Sequence, residues 1–123
     1  MHTEPQRLHS NARLSKVVIH SNGMVFLSGQ TASGATASTI EEQTQEVLRR
    51  IDAYLVEAGT DKNAILSATI YLRDISDFAA MNQVWEHWVS EEHAPARCTV
   101  QAQLASPQLR IEISVIAATK VDR

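Results

Sequence analysis

Arg97, Thr99, Gln101 and Gln103 alternate with Cys98, Val100, Ala102 and Leu104 inside the stretch HAPARCTVQAQLASPQLRIEISV, residues 93–115. Further on, Arg110, Glu112 and Ser114 alternate with Ile111, Ile113 and Val115. Successive side chains of a strand point to opposite faces, so each run reads as a strand with one apolar and one polar face. The polar faces carry an arginine, a carboxylate, a threonine and two glutamines, a set suited to holding a small polar molecule. Arg97 stands at a strand start, just after His93-Ala94-Pro95-Ala96. A guanidinium there can grip a carboxylate through two parallel N–H···O bonds. It can equally be a solvated surface charge or half of an intersubunit ion pair, because most charges stay in water. Glu112 is the natural acidic partner, and Thr99 offers a hydroxyl that both donates and accepts. Each has a plainer reading, as a solvated charge and as an ordinary β-former.

A turn at Ser106-Pro107 would join the two strands as a hairpin, with Gln101 opposite Glu112. Glu112 then shares a face with Arg97, but about four residues along it, or roughly 13 Å at the usual rise. Either a bulge shortens that gap or Glu112 works with groups from a neighbouring subunit. Cys98 is expected to point into the core beside Val100, where a thiol is inert. Ser28-Gly29-Gln30 closes an earlier strand. Gly29 there permits close approach by a ligand or another strand, or is only a tight bend.

The elements that must position these residues follow from local pattern. Residues 17–20 and 24–28 are β-rich runs separated by Asn22-Gly23, a pair that suits a type I′ hairpin turn. Residues 31–38, TASGATAS, form a small-residue loop expected to be mobile. Thr39 with Glu42 matches a capping box. Behind it Ile40, Val47, Leu48, Ile51, Leu55 and Ala58 fall on one helical face, and Gly59 is placed to end the helix in the left-handed conformation. Residues 66–72 alternate as a strand. Phe78, Met81, Trp85 and Trp88 recur at helical spacing, which predicts a core-facing helix to about Val89. The order is β-β-α-β-α-β-β. Helices alternating with strands imply crossovers. Two helices cannot cover both faces of a five- or six-stranded sheet, so both should lie on one. The other face is then solvated or packed against further copies of the chain. Residues 1–12 are polar and read as an N-terminal arm, with one domain over 13–123.

Composition narrows the function. The chain has 123 residues, 44% hydrophobic and 20% charged, with a net charge of −3. That is one globular domain with no bulk attraction for nucleic acid or an anionic membrane. No apolar run approaches a membrane span, and the first residues lack the layout of a secretory signal. One cysteine excludes an internal disulfide, so a cytoplasmic setting is expected. The five histidines are scattered, with no metal-ligand spacing, and no serine–histidine–acid set is visible.

The segments VFLSGQ, ATIYLRDISDFAAMNQVW, PARCTV and RIEISVIA together resemble the RidA/YjgF family, from about Val17 to Ala118. PAR followed by the glutamate of IEI is a specific part of that pattern. DFAAMNQVWEHWV and HAPARCTVQAQL resemble a YoaB-like branch. The resemblance implies an α+β, chorismate-mutase-like fold: a mixed sheet with two helices packed on one face. It also implies a homotrimer with ligand clefts between subunits, and hydrolysis of reactive enamines or imines such as 2-aminoacrylate to 2-keto acids and ammonia. Arg97 matches the family's carboxylate anchor, and Glu112 the acid that positions water. Thr99, Ser28 and Gly29 match cleft-lining, substrate-binding positions. No metal or organic cofactor is implied. Ser15 stands where the family has a cleft tyrosine, and Ala94 where an aromatic is common, which implies a wider, wetter pocket. The alternatives are a non-catalytic trimer that binds 2-keto acids, and a chaperone-like or protein-interaction module. A nuclease role described for relatives fits poorly with a net charge of −3 and no basic patch.

Overall fold

Thr39 caps the longer helix as its sequence requires. Its hydroxyl accepts from the Glu42 N–H at 3.1 Å, and the Glu42 carboxylate accepts from the Thr39 N–H at 3.2 Å. Two backbone donors that the helix cannot satisfy are thus paired reciprocally. This helix, α1, covers Ile40–Glu57 and buries Ile40, Val47, Leu48, Ile51 and Leu55. Gly59 follows with φ 83°, ending it in the left-handed conformation. The second helix, α2, covers Phe78–Trp88 and buries Met81 and Trp85.

The structure is a computed structural model and describes residues 4–120. Its strands are β1 (Gln6–Ser10), β2 (Ser15–Ile19), β3 (Met24–Gln30), β4 (Ile65–Leu72), β5 (Ala96–Gln101) and β6 (Ile111–Ala118). They form one sheet in the order β1-β2-β3-β6-β4-β5. Only β4 and β5 run parallel, joined by the α2 crossover; the other pairs are antiparallel. Val25, Leu27, Ile70, Leu72, Ile111, Ile113 and Val115 join the residues buried by both helices in one core. Both helices therefore cover the same sheet face, as the pattern predicts.

Four expectations are corrected. β5 and β6 do not form a hairpin. A crossover helix between β4 and β5 favours a parallel pair, which leaves β5 at the sheet edge. β6 takes the interior slot between β3 and β4, where Ile111, Ile113, Val115 and Ala117 are 0%, 0%, 2% and 0% exposed. The chain between them is a loop gathered by Arg73. Its guanidinium donates to the carbonyls of Leu109 at 2.8 Å and Ser106 at 2.6 Å. Next, the β2–β3 turn is not type I′. The Gly23 N–H donates to the His20 carbonyl at 3.0 Å, and Gly23 alone turns left-handed, with φ 95°. Asn22 keeps negative φ because its side chain accepts from the Met24 N–H at 3.0 Å. The loop over 31–38 is tied down: Arg50 donates to the Thr31 carbonyl at 2.9 Å, Gln43 to the Ala37 carbonyl at 3.3 Å, and Ala32 is buried. Finally, the polar N-terminal arm contributes a strand. Residues 6–10 pair with β2 although mostly exposed, because the backbone ladder needs no apolar side chains; residues 1–3 of the arm lie outside the described residues.

Candidate active site

Arg97 lies opposite Ala68 of β4 and Thr99 opposite Ile70, both residues whose side chains face the helices. Arg97 and Thr99 therefore look toward α2. The guanidinium carbon sits 5.4 Å from the centroid of the Trp85 ring and 5.8 Å from that of Phe78. Among the described residues no carboxylate forms an ion pair with it. Burial pushes the guanidinium below its ordinary pKa, and the charge of Glu86 partly offsets that. Arginine remains a cation through such a shift. The Thr99 hydroxyl oxygen is buried without a hydrogen-bond partner. Leaving such a group unpaired costs about 1–3 kcal/mol. A cavity of about 540 Å³ opens beside Arg97, lined by Asn82, Trp85, Glu86, Val89 and Ala94 among others.

Glu112 lies on β6 opposite Tyr71, on the sheet face away from the helices. Its surroundings are set by a bulge in β3. Leu27 pairs with Val115 and Gln30 with Ile113, so Ser28 and Gly29 share the space opposite Ser114. The Glu112 carboxylate lies directly over Gly29. A Cβ there would sit 2.0 Å from Oε2 and 2.8 Å from Cδ. Gly29 is needed for the space it leaves, and its φ is not positive. Buried Gln30 fixes the bulge by donating to the Ser28 carbonyl at 3.0 Å.

The structure thus brings together two groups: Arg97 with Thr99, and Glu112 with Ser28 and Gly29. It does not bring the groups to each other within one chain. The expectation that Glu112 shares a face with Arg97 is corrected, because β5 and β6 are separated by β4 and present their polar residues to opposite faces. The same inversion exposes Cys98, which was expected in the core. Its sulfur faces Thr69 Oγ1 at 3.9 Å on the open face. Val100 beside it is 43% exposed, and Phe26 and Leu66 on other strands are 40% and 47% exposed. Ser15 hydrogen-bonds Ser10 at 2.7 Å, between hydroxyls.

Asn82, Glu86 and Phe78 were not assigned to the site from the sequence. Phe78, Asn82 and Glu86 recur every four residues and Asn82 stands three before Trp85, a spacing that could have shown that the α2 stripe extends past the core to the cavity. A cavity of about 790 Å³ lies elsewhere, near Arg73 and Arg110. Arg73 there is spent on backbone carbonyls, and Arg110 pairs with Asp77 at 3.3 Å. No group of three metal-ligating side chains occurs among the described residues, and no described helix is long and apolar enough to cross a membrane.

The family model described as Endoribonuclease L-PSP matches residues 4–119. The chain belongs to this family, the YjgF/RidA family. It is 46% identical over 112 residues to the RutC family protein YoaB of Escherichia coli, covering 91% of this chain and 96% of that one. It is 38% identical over 106 residues to the mitochondrial protein mmf2 of Schizosaccharomyces pombe, covering 81% and 83% of the two chains. The crystal structure of a YjgF family member from Neisseria meningitidis superposes with a TM-score of 0.94 at 41% identity, covering 99% of this chain and 100% of that one. The YoaB-like character read from the α2 and β5 segments agrees with these relatives. The YjgF fold of the structural neighbours agrees with the chorismate-mutase-like α+β expectation.

Proposed function

We propose that this protein hydrolyses reactive 2-imino acids, and the enamines in equilibrium with them, to 2-keto acids and ammonia. The observation that carries the proposal is the Arg97 guanidinium, lying over two rings and left without a carboxylate among the described residues. A half-buried cation with an open fork is a binding site for a small carboxylate. The unpartnered Thr99 hydroxyl beside it supplies a second contact.

The chemistry needs little more. An imine carbon is already electrophilic. Arg97 holds the substrate carboxylate, and Glu112 accepts a proton from a water that adds to the imine carbon. The C=N double bond becomes single and the nitrogen takes that proton from Glu112. The resulting tetrahedral species then gives its hydroxyl proton to Glu112 and expels ammonia as the C=O bond forms. Glu112 can return its proton to the departing nitrogen. Fixing both reactants supplies the orientation on which the rate depends. No metal or organic cofactor takes part.

Arg97 and Glu112 act together only if they come from different copies, so the active form is an oligomer; the family resemblance implies a trimer with clefts between subunits. The apolar residues of the open face, Phe26, Leu66 and Val100, support such packing. A second reading follows from the same asymmetry. Arg97 and Thr99 form an anchor complete within one chain, whereas Glu112 does not join it. A protein whose copies left them apart would bind 2-keto acids without turnover. The two readings separate in a coupled assay. A pyridoxal-phosphate enzyme or an amino-acid oxidase generates short-lived imino acids, and their loss is followed with wild type and Arg97→Ala. Faster loss with wild type, abolished by the substitution, is expected. No acceleration over small, aliphatic and aromatic imines would leave only the binding reading.

A further inference from the structure

Phe78 and Trp85 stand two turns apart on α2, so one helix face presents both rings to β5. Arg97 crosses this face, 5.4 Å from the Trp85 centroid and 5.8 Å from that of Phe78. A guanidinium offers two different surfaces. Its flat face stacks on aromatic rings, while its N–H donors lie in the plane around the edge. Contact with rings through the flat face fixes the orientation of a fork without using a donor. A carboxylate side chain in the same place would fix it too, but would occupy the donors that a ligand needs.

Trp85 is itself held firmly. It is 5% exposed, and its ring lies 5.4 Å from that of Trp88 at an interplanar angle of 53°. The Trp88 indole N–H donates to Asp52 of α1 at 2.9 Å. The series Asp52, Trp88, Trp85, Arg97 links both helices to the edge strand. An edge strand pairs on one side only, so a long side chain at its start gains most from such support.

We propose that Trp85, with Phe78 as the lesser partner, is a positioning residue that holds the Arg97 fork in the plane required by the carboxylate of a 2-keto or 2-imino acid. This inference rests on the reading of Arg97 as the carboxylate anchor. Trp85 acts through Arg97 and need not touch the reacting carbon.

The test is pyruvate binding, measured by calorimetry on the full-length protein. Trp85→Leu should weaken binding about tenfold, the scale of a desolvated cation–π contact. Trp85→Phe, which keeps a ring, should recover most of the loss. Met81→Ala serves as the packing control: it empties core volume on the same helix, and Met81 is fully buried. It should lower stability and leave affinity unchanged. Phe78→Leu changes a residue that is 42% exposed and tests the clamp even where Trp85→Leu fails to fold; about threefold weaker binding is expected. Arg97→Ala should abolish binding. If Arg97→Ala abolishes binding while Trp85→Leu and Phe78→Leu bind like wild type, the anchor stands and the positioning role is wrong. An equal loss in Met81→Ala would assign the effect to the fold and overturn the proposal. If wild type does not bind pyruvate, or Arg97→Ala binds it equally well, the anchor reading falls and the inference falls with it.

Discussion

Arg97 and Glu112 are held in opposite ways. Arg97 begins an edge strand, faces the helices and rests on the rings of Trp85 and Phe78. Glu112 lies on an interior strand, faces away from the helices and rests over the bare backbone of Gly29. The cation lies against added aromatic surface. The carboxylate is accommodated by removal of a side chain and one extra residue in β3. On the proposed reading the first holds the substrate carboxylate and the second leaves room beside Glu112 for water. Their separation across the sheet explains why neither half alone specifies a reaction.

Glu112→Gln should give the largest effect. The amide cannot act as a base, so kcat should fall by roughly 10³ while pyruvate affinity holds, as steady-state kinetics and calorimetry would show. A loss of affinity equal to the loss of rate would place Glu112 in binding instead. Arg97→Ala should lose affinity as well as rate. Losing two charge-assisted hydrogen bonds should weaken carboxylate binding by about 10² or more, with the melting temperature nearly unchanged. Gly29→Ala comes next. The new methyl group must push the Glu112 carboxylate aside, and the end of a flexible side chain can yield. Activity should fall roughly tenfold to 10²-fold with little change in stability. Full activity in this variant would show that the carboxylate's place over Gly29 is irrelevant.

The smallest effect concerns the loop that follows Gly29. Glu46 pairs with Arg49 and Arg50, and Arg50 in turn holds the Thr31 carbonyl. Those arginines hold the Glu46 carboxyl down at about 2, against an ordinary 4.5. A carboxyl with a depressed folded-state pKa adds stability above its unfolded value, and that stability is lost as pH falls from about 4.5 to about 2. Because the cluster lies at the surface and is partly screened by water, Glu46→Gln should cost only about 1 kcal/mol at pH 7, and nothing at the acid end of that window. Urea unfolding at both pH values checks this, and pyruvate affinity at Arg97 should not respond.

The helices were legible in the sequence because their signals are local. The Thr39–Glu42 box, Gly59 and the apolar spacing act within a few residues and need no partner. The strands were legible as strands, but their neighbours were not. Alternation in 97–104 and 110–115 shows that each run has two faces; it does not say which strand each will pair with. The close sequence separation of the two runs suggested a hairpin, and the α2 crossover placed β4 between them. That one difference turned Arg97 toward the helices and exposed Cys98. Gly29 was marked as a close-approach position, yet its neighbour, Glu112, is set by a bulge that no sequence period reveals. Phe78 and Trp85 were read as core because a helical stripe looks the same whether its end is buried or lies under an arginine.

The most direct test unites the two halves. Arg97→Ala and Glu112→Gln chains, each inactive alone, are unfolded together in equal amounts, refolded and assayed for imino acid hydrolysis. If each cleft takes its arginine from one copy and its glutamate from another, random assembly restores about a quarter of wild-type activity. If the refolded mixture contains mixed oligomers and stays inactive, Arg97 and Glu112 do not act together across a subunit boundary.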